Sequence, residues 1–185
     1  ISASNVNVVY NNNAKLVVTL KDEFGNPIEG AEVTVVLNGA TKNIKTNDKG
    51  QATYAISSTL VPKTYAAEIS FAGDDNYVKS ASSAKVVMKK ATPKLTAKAK
   101  TFKVKTKTKK YTVILKTNKG KALSKAKLTL KVKGKTYKAT TNSKGKATFK
   151  ITKLTKKGKF TATIKYNGDK CYNKLTKNVK ITVKK

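Results

Sequence analysis

The sequence has 185 residues, with 41 basic and 9 acidic side chains and a formal net charge of +32. Every basic residue is lysine, and the chain contains no histidine, no tryptophan and one cysteine. The lack of histidine removes the usual general base at neutral pH and the commonest metal ligand. A single cysteine excludes an intrachain disulfide, and no apolar run approaches the roughly 20 residues of a membrane-spanning helix. This composition argues against most classes of enzyme and against membrane insertion.

The charge is concentrated in one half of the chain. Residues 1–90 contain 10 lysines and 8 acids, whereas residues 91–185 contain 31 lysines and a single acid, Asp169. The two halves meet at Lys89-Lys90-Ala91-Thr92-Pro93, where the proline cannot belong to a central strand. We therefore predict a near-neutral domain over 1–90 and a strongly basic domain over 91–185.

Apolar and polar residues alternate with a period of two throughout the chain, as in Tyr111, Val113 and Leu115. This period is typical of strands with one buried face, and no segment has a convincing helical period. In chain order, the pattern predicts strands near 4–10, 14–21, 31–38, 41–46, 51–57, 64–72 and 80–89. It predicts further strands near 94–105, 111–117, 125–133, 136–141, 146–152, 159–167 and 175–184.

The two halves are copies of one unit. Residues 16–90 align with 111–185 without a gap, and about 23 of 75 positions are identical. Thr46-Asn47-Asp48-Lys49-Gly50 matches Thr141-Asn142-Ser143-Lys144-Gly145, and the shared glycines stand where the chain is expected to turn. About seven short strands per copy, with turns every 8–12 residues, are typical of an immunoglobulin-like sandwich. The predicted fold class is therefore all-β, with two tandem immunoglobulin-like sandwiches of about seven strands each.

Several turns resemble those of a known family. The segment 22–31 and the Asn47–Gly50 turn resemble bacterial and archaeal Ig-like repeats, including invasin-type ones. Gly73-Asp74-Asp75-Asn76-Tyr77 and Gly168-Asp169-Lys170-Cys171-Tyr172 resemble a signature of group 3 bacterial Ig-like domains. The lysine- and threonine-rich second copy resembles repeats of adhesin-like surface proteins of methanogenic archaea. The resemblance implies a non-enzymatic stalk module in a long, exported, cell-surface adhesin, monomeric within the longer chain and without cofactors.

Lysines are the main candidate functional residues. Outward positions on neighbouring strands lie about 5 Å apart, so the second domain is expected to carry a dense cationic surface. Such a surface attracts polyanions in a salt-dependent manner. The expected partner is an acidic cell-wall polymer, or a host or partner-cell glycan or surface protein. The candidate polyanion-binding residues are Lys103, Lys105, Lys107, Lys127, Lys131, Lys133, Lys138, Lys150, Lys165 and Lys180; Lys109 and Lys110 extend the basic run of the first strand.

Other interpretations of this surface stay open at this point. The lysines can serve only to keep the domain soluble and to protect its sheet edges, leaving a purely structural spacer without a ligand. A nucleic acid fits the charge, although the absence of arginine removes the fork that grips phosphates and guanine edges.

Other candidate features favour structural roles. The acidic residues Asp22, Glu23, Asp48, Asp74 and Asp75 are oxygen ligands of the kind that calcium prefers, but they lie in separate turns, where such side chains bond the local backbone. A lysine–asparagine crosslink needs a buried carboxyl, and Glu68 is predicted to point outward. Cys171 is expected to be a tolerated substitution, with intermolecular pairing as the alternative. Tyr77 and Tyr172 are expected to anchor their loops.

Overall fold

The computed structural model describes all residues from 1 to 185 and contains strands but no helix. The chain divides into two compact units, Ile1–Lys90 (unit 1) and Ala91–Lys185 (unit 2). The strands of unit 1 are β1 (Ser2–Ala3), β2 (Val6–Val9), β3 (Ala14–Thr19), β4 (Glu32–Leu37), β5 (Ala40–Lys45), β6 (Gln51–Ile56), β7 (Thr64–Phe71) and β8 (Ser80–Lys89). Those of unit 2 are β9 (Lys94–Thr96), β10 (Lys100–Lys103), β11 (Lys109–Lys116), β12 (Lys127–Val132), β13 (Lys135–Thr140), β14 (Lys146–Ile151), β15 (Gly158–Tyr166) and β16 (Leu175–Lys184).

Each unit is a sandwich of a three-stranded and a five-stranded sheet. In unit 1 the strand orders are β1-β3-β6 and β2-β8-β7-β4-β5, and in unit 2 they are β9-β11-β14 and β10-β16-β15-β12-β13. All pairs are antiparallel except β2 with β8 and β10 with β16. The prediction of two tandem all-β sandwiches is confirmed.

Alternate residues of the strands fill the space between the sheets. In unit 2 the inward residues Val113, Leu130, Phe149 and Ile164 are fully buried, whereas the residues between them on each strand face outward. No buried side-chain nitrogen or oxygen lacks a hydrogen-bond partner. Most buried side chains are apolar, as the period of two predicts, and the few buried polar ones are Thr46, Lys109, Thr117 and Thr141.

The first strand of each copy differs from the prediction. The segment 94–105 was expected to be a single strand but forms β9 and β10, which belong to different sheets. The predicted strand 4–10 contains β2, and the short strand β1 that precedes it in the other sheet was not predicted. In unit 1 the residues that pack against the core are Ile1 and Ala3 before the break and Val6 and Val8 after it. The inward phase thus changes from odd to even positions, which lets the chain leave one sheet and join the other.

The shared turn before β6 and β14 shows why its glycine is needed. In unit 2 the Asn142 side-chain oxygen accepts hydrogen bonds from the amides of Lys144 and Lys146 at 3.0 Å each. Gly145 has a φ of +71°, and a Cβ there would collide with the Leu115 carbonyl oxygen. Asn47 and Gly50 form the same turn in unit 1, so the turn belongs to the repeated fold.

Candidate functional site

All ten candidate lysines of unit 2 are exposed, but they do not lie on one surface. Lys150 lies on β14 in the three-stranded sheet, Lys133 lies in the β12–β13 turn, and Lys105 and Lys107 lie in the β10–β11 loop. The other six point outward from the five-stranded sheet: Lys103, Lys127, Lys131, Lys138, Lys165 and Lys180. We call the outward face of this sheet the Lys–Thr face.

Lysine and threonine alternate across the strands of the Lys–Thr face. One row runs Lys138–Thr129–Lys165–Thr176 across β13, β12, β15 and β16. The next row runs Thr136–Lys131–Thr163–Asn178 across the same strands. Within these rows each lysine is opposite a short polar side chain, whereas at the β10 edge of the face Lys103 is directly opposite Lys184.

This arrangement sets the spacing of the charges. Diagonal neighbours on adjacent strands, such as Lys131 and Lys165, are about 7–8 Å apart at their backbones. That distance is close to the Debye length of about 8–10 Å at moderate salt, so neighbouring charges still repel one another. Because Asp169 is the only acidic side chain of unit 2, the face has no internal counter-charge. It is a regular cationic surface that needs mobile or bound anions.

The same face of unit 1 has different chemistry, although its strands pair in the same register. At an offset of 95 residues, the positions of Lys127, Lys131, Lys138, Lys165 and Lys180 are occupied by Glu32, Val36, Asn43, Ser70 and Lys85. Only one of the five is basic, and one is acidic. The fold therefore does not require lysine at these positions.

Sequence reasoning missed part of the basic surface. Lys159 and Lys184 also point outward from the five-stranded sheet, and Lys94 is paired directly opposite Lys116 in the three-stranded sheet. Lys159 could have been found because it has the same alternation phase as Lys165. The pairing of Lys94 with Lys116 could not be found in this way, because it depends on strand register.

The basic run predicted around β10 needs a correction, because Lys109 is buried. Its side chain is 2% exposed, and its Nζ donates hydrogen bonds to the carbonyl oxygens of Thr106 at 2.7 Å and Val104 at 3.3 Å. Position 109 has the inward phase of Tyr111, and the loop curls over its ammonium group. Lys109 is therefore a structural residue of the loop and does not belong to the surface.

Two of the acidic side chains that were weighed as calcium ligands, Asp22 and Asp74, bond their own turns. Asp22 Oδ1 accepts hydrogen bonds from the amides of Phe24 at 3.0 Å and Asn26 at 2.8 Å. A hydrogen bond from the Asn26 side chain is the main cause that lowers the pKa of Asp22. Asp74 likewise accepts from the amides of Asn76 and Tyr77 at 2.9 Å each. No three potential metal-ligating side chains lie together.

In unit 2 the corresponding turn is held by Asp169. Its Oδ1 accepts hydrogen bonds from the amides of Cys171 and Tyr172 at 2.8 Å each, and its Oδ2 accepts one from the Tyr166 hydroxyl at 2.7 Å. Burial, followed by the bond to Asp169, raises the pKa of Tyr166 well above its usual value. Cys171 is a half-buried free thiol in this turn.

Two predictions about single side chains have different outcomes. Glu68 is exposed on β7, as its alternation predicted. Tyr172 is 6% exposed, whereas Tyr77 is 36% exposed, so its side chain is less buried than expected. The reason is that Ala91 forms a parallel bridge with Tyr172, whereas no segment of unit 1 pairs with Tyr77.

The chain also has no helix long and apolar enough to cross a membrane.

Comparisons with known proteins show the fold. No family model and no curated protein matches the sequence. The structure is similar to that of invasin, described as a bacterial integrin-binding protein, with a TM-score of 0.57 and 18% identity over 99% of this chain. It is also similar to the titin domains Z1Z2 in complex with telethonin, with a TM-score of 0.54 and 13% identity over 98% of this chain and 93% of that one. The chain spans 39% of the length of the invasin structure. These likenesses establish tandem immunoglobulin-like sandwiches.

Proposed function

We propose that the chain is a non-enzymatic stalk segment of an extracellular, cell-surface adhesin, in which unit 2 associates electrostatically with an acidic wall or glycan polymer. The tandem fold supports the stalk role, because sandwich domains that follow one another in a chain lengthen it and leave their surfaces free to vary. The likeness to invasin is consistent with this role. An origin in methanogenic archaea stays a prediction of the sequence resemblance.

The observation that carries the electrostatic part is the contrast between the two five-stranded sheets. The same fold presents alternating lysine and threonine in unit 2, whereas unit 1 presents a face of mixed charge that includes Glu32, Lys45, Glu68 and Lys85. Self-repulsion disfavours such a charge density unless anions accumulate on it. A linear polyanion reduces this repulsion and releases its own counterions on binding.

Lysine without arginine favours a ligand that is recognised by charge density. Each ammonium group is a compact point charge without the planar fork that reads carboxylates or guanine edges in two-point contacts. The alternating threonines place short, polar side chains between the lysines. We therefore expect broad recognition of flexible acidic polymers and no preference for a base sequence.

The experiment compares two variants that lose equal charge. In the face variant, Lys127, Lys131, Lys138, Lys165 and Lys180 are replaced by threonine. In the control variant, five exposed loop lysines are replaced by threonine: Lys119, Lys121, Lys144, Lys156 and Lys170. Affinity is measured for poly(glycerol phosphate), chondroitin sulfate and duplex DNA over a salt series.

We expect the face variant to lose about tenfold in affinity at low salt and the control variant less than about threefold, with a smaller salt slope for the face variant. Equal losses would show that charge attracts the polymers without a defined face. Absence of binding by the unaltered chain would leave the lysines a solubilising role. A clear preference for DNA over both other polymers would favour a nucleic-acid-binding protein.

A further inference from the structure

Unit 1 has an open apolar groove at the end of the sandwich where its chain begins. The groove has a volume of about 360 Å³, and its lining includes Ile1, Phe24, Tyr77 and Val78. Phe24 is 81% exposed and Val78 is 87% exposed, the largest values among the exposed apolar side chains. We call this feature the N-terminal groove.

The equivalent place in unit 2 is covered by the segment that precedes β9. The Ala91 amide donates to the Cys171 carbonyl oxygen at 3.0 Å, and the Asn173 amide donates to the Ala91 carbonyl oxygen at 2.8 Å. The Asn173 side chain also donates to the Thr92 hydroxyl at 3.1 Å. As a result Ala91 is fully buried, and Tyr172, which lies between the two backbone partners, is 6% exposed.

The repeat identifies the groups of unit 1 that correspond to the backbone partners of Ala91. Cys171 and Asn173 correspond to Asn76 and Val78. The Asn76 carbonyl and the Val78 amide have no hydrogen-bond partner in the chain, so the groups that hold Ala91 in unit 2 are open in unit 1. The groove therefore has an unused backbone acceptor and donor on either side of Tyr77.

Strand register fixes where the occupant must lie. Ser2 pairs with Thr19 in unit 1 and Thr96 pairs with Ile114 in unit 2, and Thr19 and Ile114 are equivalent at an offset of 95. Ser2 thus corresponds to Thr96, and Ile1 to Leu95. The four positions directly before Ile1 are those that Ala91–Lys94 occupy in unit 2.

We propose that the N-terminal groove binds an extended peptide segment with the pattern alanine, apolar residue, proline, at the place that Ala91–Pro93 occupy in unit 2. The alanine pairs with the backbone of Asn76 and Val78, as Ala91 does with Cys171 and Asn173. The middle residue is apolar because Val78 replaces Asn173, whose side chain binds the Thr92 hydroxyl in unit 2. Phe24, which stands where unit 2 has Lys119, adds a second apolar wall. This inference does not depend on the lysine surface.

The test uses the full chain with four residues added before Ile1. One protein carries Ala-Val-Pro-Lys, and its matched control carries Glu-Val-Pro-Lys, whose charged side chain cannot take the position in which Ala91 is fully buried in unit 2. Both begin with the same Gly-Ser, and amide hydrogen exchange is followed residue by residue. We expect the Val78 amide to exchange at least about tenfold more slowly in the alanine protein than in the control. The Asn173 amide, already bonded in unit 2, serves as the internal reference.

Equal exchange of Val78 in the two proteins would overturn the proposal. A second outcome would also overturn it: protection of Val78 in the unaltered chain that rises with concentration over a roughly hundredfold range. That result would assign the groove to a second copy of the chain.

Discussion

At the scale of single residues, Lys109 shows how a lysine is buried without a carboxylate partner. A buried ammonium group is costly unless hydrogen bonds replace its hydration, and the carbonyl oxygens of Val104 and Thr106 supply two of them. The loop between β10 and β11 covers residues 104–108 and is one residue longer than the 10–13 loop of unit 1, where Ala14 stands in place of Lys109. Lys109 therefore stabilises the conformation of the longer loop.

Replacement of Lys109 by methionine tests this role. Lys109→Met keeps most of the aliphatic stem but leaves the two carbonyl oxygens without their donor. We expect the free energy of unfolding of unit 2 to fall by about 1–2 kcal/mol, because unsatisfied acceptors are costly. Urea unfolding provides the measurement, with Lys110→Met as the exposed neighbouring control, for which a change within about 0.5 kcal/mol is expected. Equal effects of the two substitutions would contradict the structural role of Lys109.

Tyr166 gives unit 2 a specific dependence on alkaline pH. Burial, together with the hydrogen bond to Asp169, raises its pKa in the folded state above its usual value near 10. The stability that this residue contributes is therefore fully present below about pH 10 and is lost as the pH rises toward the folded-state pKa. Lysines lose their charge over the same range, which relieves repulsion and acts in the opposite direction.

The Tyr166→Phe substitution separates the two effects, since it leaves all lysines in place. Phenylalanine fits this position, because Phe71 occupies it in unit 1. At pH 8 we expect the variant to be about 1 kcal/mol less stable, owing to the lost hydrogen bond. The difference should shrink as the pH rises above about 10 toward the raised pKa of Tyr166 in the folded state. Denaturant unfolding at several pH values measures it, and a constant difference would exclude ionisation of Tyr166 as the cause.

At the scale of secondary-structure elements, the pairing of β11 with β14 creates local strain. Lys110 lies directly opposite Lys150 on the outward face of the three-stranded sheet, and like charges in this position destabilise a sheet. On the Lys–Thr face, by contrast, Lys165 lies opposite Thr129 and Thr176. Directly opposed lysines also occur at the edge of the five-stranded sheet, where Lys103 is paired with Lys184, so the contrast with Lys110 and Lys150 holds for Lys165 and not for the whole face.

The substitution Lys150→Glu converts the repulsive pair into an attractive one. We expect unit 2 to gain about 0.5–1 kcal/mol of stability at low salt, and the gain to decrease as salt screens the exposed pair. Lys165→Glu makes the same change in charge without a lysine directly opposite and should gain less. Thermal unfolding at two salt concentrations is sufficient for the comparison, and similar gains in both variants would indicate a general effect of net charge.

The strands also show how far sequence patterns determine the fold. Alternation located nearly every strand and the outward phase of lysines such as Lys131 and Lys165. It did not assign Lys150 to the opposite sheet, because alternation defines a face but not the sheet to which a strand belongs. The division of 94–105 into two strands was not predicted. The sequence does contain a signal for it, because the inward-facing positions are odd-numbered at Leu95 and even-numbered at Phe102. The inward turn of Lys109 was missed because composition favours an exposed lysine.

Over the whole molecule, two units with the same fold carry very different net charges. Unit 1 carries a net charge of about +2 and unit 2 about +30, with 31 lysines and one acidic side chain in unit 2. Apolar cores of the same kind lie within both units. Differences in their response to ions therefore arise mainly from the surface, and the chain contains its own control.

We expect added salt to stabilise unit 2 and to leave unit 1 nearly unchanged. Between about 10 mM and about 500 mM sodium chloride the Debye length falls from about 30 Å to below 10 Å, so repulsion among the lysines weakens strongly. A gain of about 1–2 kcal/mol would raise the Tm of a domain of this size by about 5–10 °C. Residue-resolved thermal unfolding of the full chain separates the units, and poly(glycerol phosphate) should produce the same shift at low salt. Equal shifts in the two units would show that the ions act on the shared fold and not on the lysine surface.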